Sequence, residues 1–93
     1  MANATVTVDW LLGQGNAKAT LTPLSGGPST QLTIPDGGGS VTFPNVSVGD
    51  LIFVGGNAAS TNGGTITIDR TTHPTTPQAV SPGPFGFNFI VKA

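Results

Sequence analysis

Glycine and proline punctuate this chain so evenly that no helix fits between them. Fourteen glycines and eight prolines are spread over 93 residues. No stretch of a dozen residues is free enough of them to sustain helical turns. What lies between the breakers alternates. Along Ala4-Thr5-Val6-Thr7-Val8-Asp9-Trp10-Leu11-Leu12, Val6, Val8, Trp10 and Leu12 share one face while Thr5, Thr7 and Asp9 share the other. That is the period of two of a half-buried strand. The end of the chain repeats it, with Phe85, Phe87, Phe89 and Val91 alternating with Gly86, Asn88, Ile90 and Lys92. Trp10 and these phenylalanines read as core rather than as a ligand platform.

Turn signals divide the rest. Gly13-Gln14-Gly15-Asn16, Ser25-Gly26-Gly27-Pro28 and Pro35-Asp36-Gly37-Gly38-Gly39 are reversals, because glycine and Asp-Gly accept positive φ at little cost. The expected strands cover residues 4–12, 18–24, 31–34, 40–43, 51–54, 65–69 and 85–92. Residues 44–50 form a corner, 55–64 a polar loop and 73–84 a proline-rich excursion. Seven strands at roughly ten-residue spacing predict one all-β domain over 1–93, a seven-stranded β-sandwich of prealbumin-like or immunoglobulin-like type.

Charge narrows the function. Only 8 % of residues are charged and the net charge is −1, against roughly 25 % charged residues in an average soluble domain. Lys18, Arg70 and Lys92 cannot form the cationic stripe that a nucleic-acid partner demands. The absence of cysteine removes disulfides, thiolate catalysis and Cys-based zinc sites, and a single histidine, His73, removes multi-His metal sites. No metal or other cofactor is expected. The longest apolar runs, Leu51-Ile52-Phe53-Val54 among them, are four residues long, far from the ~20 that span a bilayer, so no membrane insertion is expected. Met1-Ala2-Asn3-Ala4-Thr5 shows neither the basic end nor the apolar run of a secretory signal. Localisation therefore stays open, with a virion, or an extracellular site reached by a non-classical route, as the expectation. The triplets Asn3-Ala4-Thr5 and Asn45-Val46-Ser47 match the glycosylation pattern by the chance a threonine-rich chain affords.

One stretch carries a family likeness. Gly39-Ser40-Val41-Thr42-Phe43-Pro44-Asn45-Val46-Ser47-Val48-Gly49-Asp50-Leu51-Ile52-Phe53-Val54 resembles the G-x-[AV]-x-F-x-N-[VL]-x-x-G-x-Y-x-[VL] pattern of prealbumin-like sandwiches, the carboxypeptidase-regulatory-like and Cna B-type domains. Leu51 stands where that pattern has its aromatic residue. Asn16-Ala17-Lys18-Ala19-Thr20-Leu21 is loosely similar to the family's G-A-x-V-x-L strand. In physical terms Phe43 and Val46 fill the core, Asn45 stabilises the corner and Gly49 permits the reversal. The resemblance implies a stalk, spacer or adhesion module. Cna B-type domains often carry a Lys–Asn isopeptide bond; Lys18 and Asn88 are the pair it points to, although the chain has no Glu to assist, and the plain reading keeps both as surface strand residues.

No enzyme site emerges. There is no G-x-S-x-G elbow for a nucleophilic serine. His73 precedes Pro74 in the proline-rich excursion and reads as a solvated loop residue. Asp36 and Asp50 sit where turns use aspartate, and Asp69-Arg70 reads as a surface pair at a strand end. The Gly37-Gly38-Gly39 run precedes no helix and so lacks the dipole of a phosphate cradle. The most suggestive polar surface is the 55–64 loop, where Asn57, Ser60, Thr61 and Asn62 form a candidate glycan site. Amides and hydroxyls read sugar hydroxyls without charge. With Trp10 in the core, however, that site lacks a stacking platform.

The leading expectation is a structural or adhesive building block. A surface of Thr, Ser, Asn and Gly gives little repulsion between copies, and a small sandwich gains from partner subunits. A homo-oligomer is expected, pairing through terminal strands, because the apolar last strand ends at Ala93 with little room for an edge guard. A carbohydrate-binding protein using the 55–64 loop is the alternative.

Overall fold

The computed structural model describes residues 2–11, 15–59 and 63–93. All regular structure among them is strand: β1 (Ala2–Trp10), β2 (Gly15–Thr22), β3 (Thr30–Ile34), β4 (Gly39–Val46), β5 (Leu51–Ala58), β6 (Gly64–Ile68), β7 (Thr72–His73), β8 (Gln78–Val80) and β9 (Gly83–Val91). There is no helix among these elements, and none long and apolar enough to cross a membrane. The strands form two antiparallel sheets, ordered β4-β1-β6-β8 and β3-β2-β5-β9-β7.

Nine strands replace the expected seven. The additional two come from the proline-rich excursion, where β7 and β8 contribute two and three residues, too few for a period to register in sequence. A second correction falls on the 55–64 loop. Gly55, Gly56, Asn57 and Ala58 continue β5, paired with β2 on one side and β9 on the other. The same lengthening converts Gly15 and Asn16 from a turn into the start of β2. Glycine has weak strand preference, and here two paired neighbours override it.

The inner faces are those the alternation assigns. Val6, Val8 and Trp10 of β1 are buried, with Phe43 and Val46 of β4, Ile66 and Ile68 of β6, Ile52 and Val54 of β5, and Phe89 and Val91 of β9. Phe85, Phe87 and Phe89 stack along one strand with ring centroids 6.3 and 6.2 Å apart, and Phe85 meets Trp10 edge-on at 6.0 Å. Small residues set the spacing at the Trp10 end. A Cβ on Gly15 or Gly64 would come within 2.7 Å of the indole, and one on Gly38 within 3.6 Å. The outer face of the four-stranded sheet is hydroxylic. Thr5 faces Thr42 and Thr7 faces Ser40 across β1 and β4, with hydroxyl oxygens 3.0 and 2.7 Å apart.

Neither terminal strand is the outermost strand of its sheet. β1 lies between β4 and β6, and β9 is paired with β5 along its length. β1 is paired on both sides over Val6, Thr7 and Val8. β9 differs, since β7 pairs only with Ile90 and Val91.

Phe43 is fully buried, whereas Val48 is 53 % exposed. Phe43→Ala is expected to lower the unfolding free energy by about 3–5 kcal/mol through lost transfer energy and a residual cavity. Val48→Ala is expected to stay within about 0.5 kcal/mol. Urea unfolding checks both, and near-equal losses would contradict this packing.

Candidate functional site

The corner between the sheets shows how local chemistry shapes the surface. β4 ends in a bulge: Ala2 pairs with Val46 and Ala4 with Phe43, so two residues of β1 span three of β4. Asn45 takes up the extra residue at φ 57°, and Gly49 reverses the chain at φ 97°, conformations that suit Asn and Gly. Phe43 and Val46 are buried on either side of the bulge. Phe43 and Val46 thus fill the core and Gly49 makes the reversal, as the sequence implies.

Asp50, only 5 % exposed, holds the corner. One carboxylate oxygen accepts the Leu24 N–H and the other the Ser47 N–H, each at 3.0 Å. Its main-chain carbonyl accepts the Val91 N–H at 2.9 Å, and the Gly49 N–H is donated to the Val91 carbonyl at 2.8 Å. A shallow groove of about 520 Å³ opens beside it, lined by Pro23, Leu24, Pro44, Asn45 and Val48 among others. Leu24 is 73 % exposed and lies across Gly49, where a Cβ would meet its Cδ2 at 2.6 Å. The groove is mainly apolar, and the carboxylate in its wall is already occupied by two N–H donors.

The glycan-site residues fare differently. Asn57 is exposed on β5, opposite Asn16 of β2 and Pro84 of β9. Ser60, Thr61 and Asn62 lie outside the described residues. Trp10 is buried, and its indole Nε1 has no hydrogen-bond partner among the described residues. It is not available as a stacking surface. The sequence reading missed Phe53, 39 % exposed on the outer face of the five-stranded sheet. Its ring covers the paired residues Gly55 and Gly86: a Cβ on Gly55 would stand 2.6 Å from it, and one on Gly86 3.0 Å. Asn88 is directly opposite Phe53, and Leu51 is opposite Ile90. The only sequence signal was the absence of side chains at Gly55 and Gly86; their juxtaposition depends on register.

The remaining candidates are spread apart. Asp69 accepts the Thr5 N–H at 2.7 Å, and Arg70 donates to the Ala2 and Val46 carbonyls at 3.2 and 3.0 Å. Each is spent on tying strand ends rather than on pairing with the other. His73 is exposed at the edge of the five-stranded sheet, and Asp36 is exposed in a turn. Lys18 and Asn88 are both exposed, on β2 and β9, which flank β5 from opposite sides. No three His or Asp side chains come together to hold a metal among the described residues.

Removing the Asp50 carboxylate leaves two N–H groups at the corner without their acceptor. Asp50→Ala is expected to cost about 2–4 kcal/mol of stability, and Asp50→Asn less, because one acceptor oxygen survives. Asp9→Ala, at an exposed strand position, is the comparison and is expected to change little. Chemical denaturation of the three variants checks this; equal effects for Asp50→Ala and Asp9→Ala would refute the assignment.

In comparison with known proteins, no family model matches the chain, and neither a curated protein nor a solved structure does.

Proposed function

We propose that this protein is a non-enzymatic structural or adhesive module of a homomeric assembly, of virion or cell-surface type. The observation that carries the reading is the middle of the five-stranded sheet. Neither β5 nor β9 contains a charged residue, and on their outer face Leu51, Phe53 and Ile90 are neighbours, Phe53 and Ile90 being 39 % and 41 % exposed. Burying such a surface removes apolar area from water without stripping the hydration shell of an ion. A prealbumin-like type of sandwich, with the immunoglobulin-like type as its alternative, belongs to the same proposal. It is supported by the geometry of Phe43, Asn45, Val46 and Gly49 at the corner. Light scattering behind a sizing column, over a roughly hundredfold concentration range, tests the assembly. The expected result is a fixed oligomer that survives dilution, and a monomer throughout would overturn it.

A second reading, a small carbohydrate-binding protein, is favoured by one specific feature. Phe53 covers a pair of glycines with Asn88 opposite it, and a partly exposed aromatic ring with an amide beside it suits the apolar face and hydroxyl rim of a sugar. On a glycan array this reading expects a signal that Phe53→Ala abolishes. A signal indifferent to both Phe53→Ala and Asn57→Ala, or none at all, would remove it.

A further inference from the structure

The five-stranded sheet is unfinished on one side. β9 has nine residues, of which β7 pairs only with Ile90 and Val91. Residues 83–89 therefore have β5 on one side and no strand on the other among the described residues. The alternation of main-chain groups identifies which of them face the gap. Val91 exchanges hydrogen bonds with Gly49 and Asp50 on the β5 side, whereas the Lys92 N–H is donated to Thr71 on the β7 side. The β5–β9 register runs without a shift. Even-numbered residues therefore aim their N–H and C=O away from β5. The gap offers the N–H and C=O of Gly86 and of Asn88, and the carbonyl of Pro84.

The other edges are shorter or interrupted. β3 has five residues between Pro28 and Pro35, β4 carries Pro44 and the bulge, and β8 has three residues between Pro77 and Pro82. Proline, bulges and brevity are the usual devices that keep an edge from pairing. Residues 85–89 have none of them.

We propose that a second copy of this chain fills the gap, with the two β9 strands antiparallel about a two-fold axis at Gly86. This deepens the assembly reading above and rests on it. Gly86 then lies opposite Gly86 of the second copy and exchanges N–H and C=O with it, and the Asn88 N–H is donated to the Pro84 carbonyl of the second copy. Phe87 of each copy meets Phe85 of the other, so the ring ladder on the inner face runs on across the axis. Phe85 and Phe87, half-buried in the single chain, lose their remaining exposure. The pairing stops where the structure provides a stop. Gly83, the first residue of β9, falls opposite Phe89 of the other copy, and the next position, beside Ile90, is held by His73 of β7. β9 carries no charge to oppose its copy. The product is a continuous ten-stranded sheet with closed, two-fold symmetry.

Two measurements test the pairing. Light scattering between roughly 1 and 100 µM is expected to give twice the 9.3 kDa chain mass. Asn88→Pro, which removes an outward N–H and no bond to β5, is expected to raise the dissociation constant at least about tenfold. Because the chain has no cysteine, a nitroxide on Asn88→Cys reports the register directly. Two-fold pairing at Gly86 puts the two labelled Cα atoms about 14 Å apart, from the strand spacing and the rise per residue. Strong dipolar broadening in the dimer is expected even if Asn88→Pro fails to fold. A dimer without broadening would overturn the edge pairing while leaving an assembly through another surface. A monomer at every concentration would overturn both.

Discussion

A buried carboxylate at the corner between the sheets fixes more of this molecule than any single apolar contact. Asp50 takes the N–H groups of Leu24, just beyond β2, and of Ser47, just beyond β4, while its main chain receives Val91 from the end of β9. Three segments distant in sequence are thereby held to one point where the chain passes from the four-stranded to the five-stranded sheet. An oily corner could not do this, because dispersion and burial are indifferent to register, whereas a carboxylate with two directed acceptors is not. The consequence reaches far along the sheet. With Val91 set against Asp50, β5 and β9 run in fixed register for eight pairs, and that register puts Gly55 beside Gly86 under the Phe53 ring.

Much of the architecture was legible because a sandwich of this size has a single layer of inward side chains, and alternation names that layer residue by residue. Period alone assigns Val6, Val8, Trp10, Phe85, Phe87, Phe89 and Val91 to the core, and all are buried except Phe85 and Phe87, which are half-buried. The reversal at Gly49 is equally readable, since glycine's easy access to positive φ announces it locally. Alternation says which face a residue takes but not which strand lies beside it. So β7 and β8 escaped notice, being shorter than any period, and Gly55, Gly56 and Asn57 passed for a loop although β2 and β9 hold them in a strand. The candidate glycan residues suffered from the same gap. Asn57 was grouped with Ser60, Thr61 and Asn62 as one loop, whereas Phe53, two positions before Gly55 on the same face, acquires its surroundings only through pairing with β9.

The few charges are also placed with economy. Asp50, Asp69 and Arg70 are three of the seven Asp, Lys and Arg side chains, and all three are bound to main-chain groups. They act as fasteners rather than as surface charge. The two outer faces then differ in kind. On the four-stranded sheet, hydroxyls face hydroxyls, Thr5 with Thr42 and Thr7 with Ser40, a row that serves its own hydrogen bonds and remains well hydrated. On the five-stranded sheet, Leu51, Phe53 and Ile90 stand together with no charge on their strands. Water leaves this apolar group more readily than the hydroxyl row of the first face, because Leu51, Phe53 and Ile90 carry no side-chain polar group to be stripped of it. The unpaired stretch of β9 borders the second face, so main-chain donors and acceptors, which give direction, lie beside apolar area, which gives driving force. A surface with only one of these would associate without register or not at all. Their coincidence on one side of a weakly charged sandwich is the physical ground for reading the molecule as a unit of something larger.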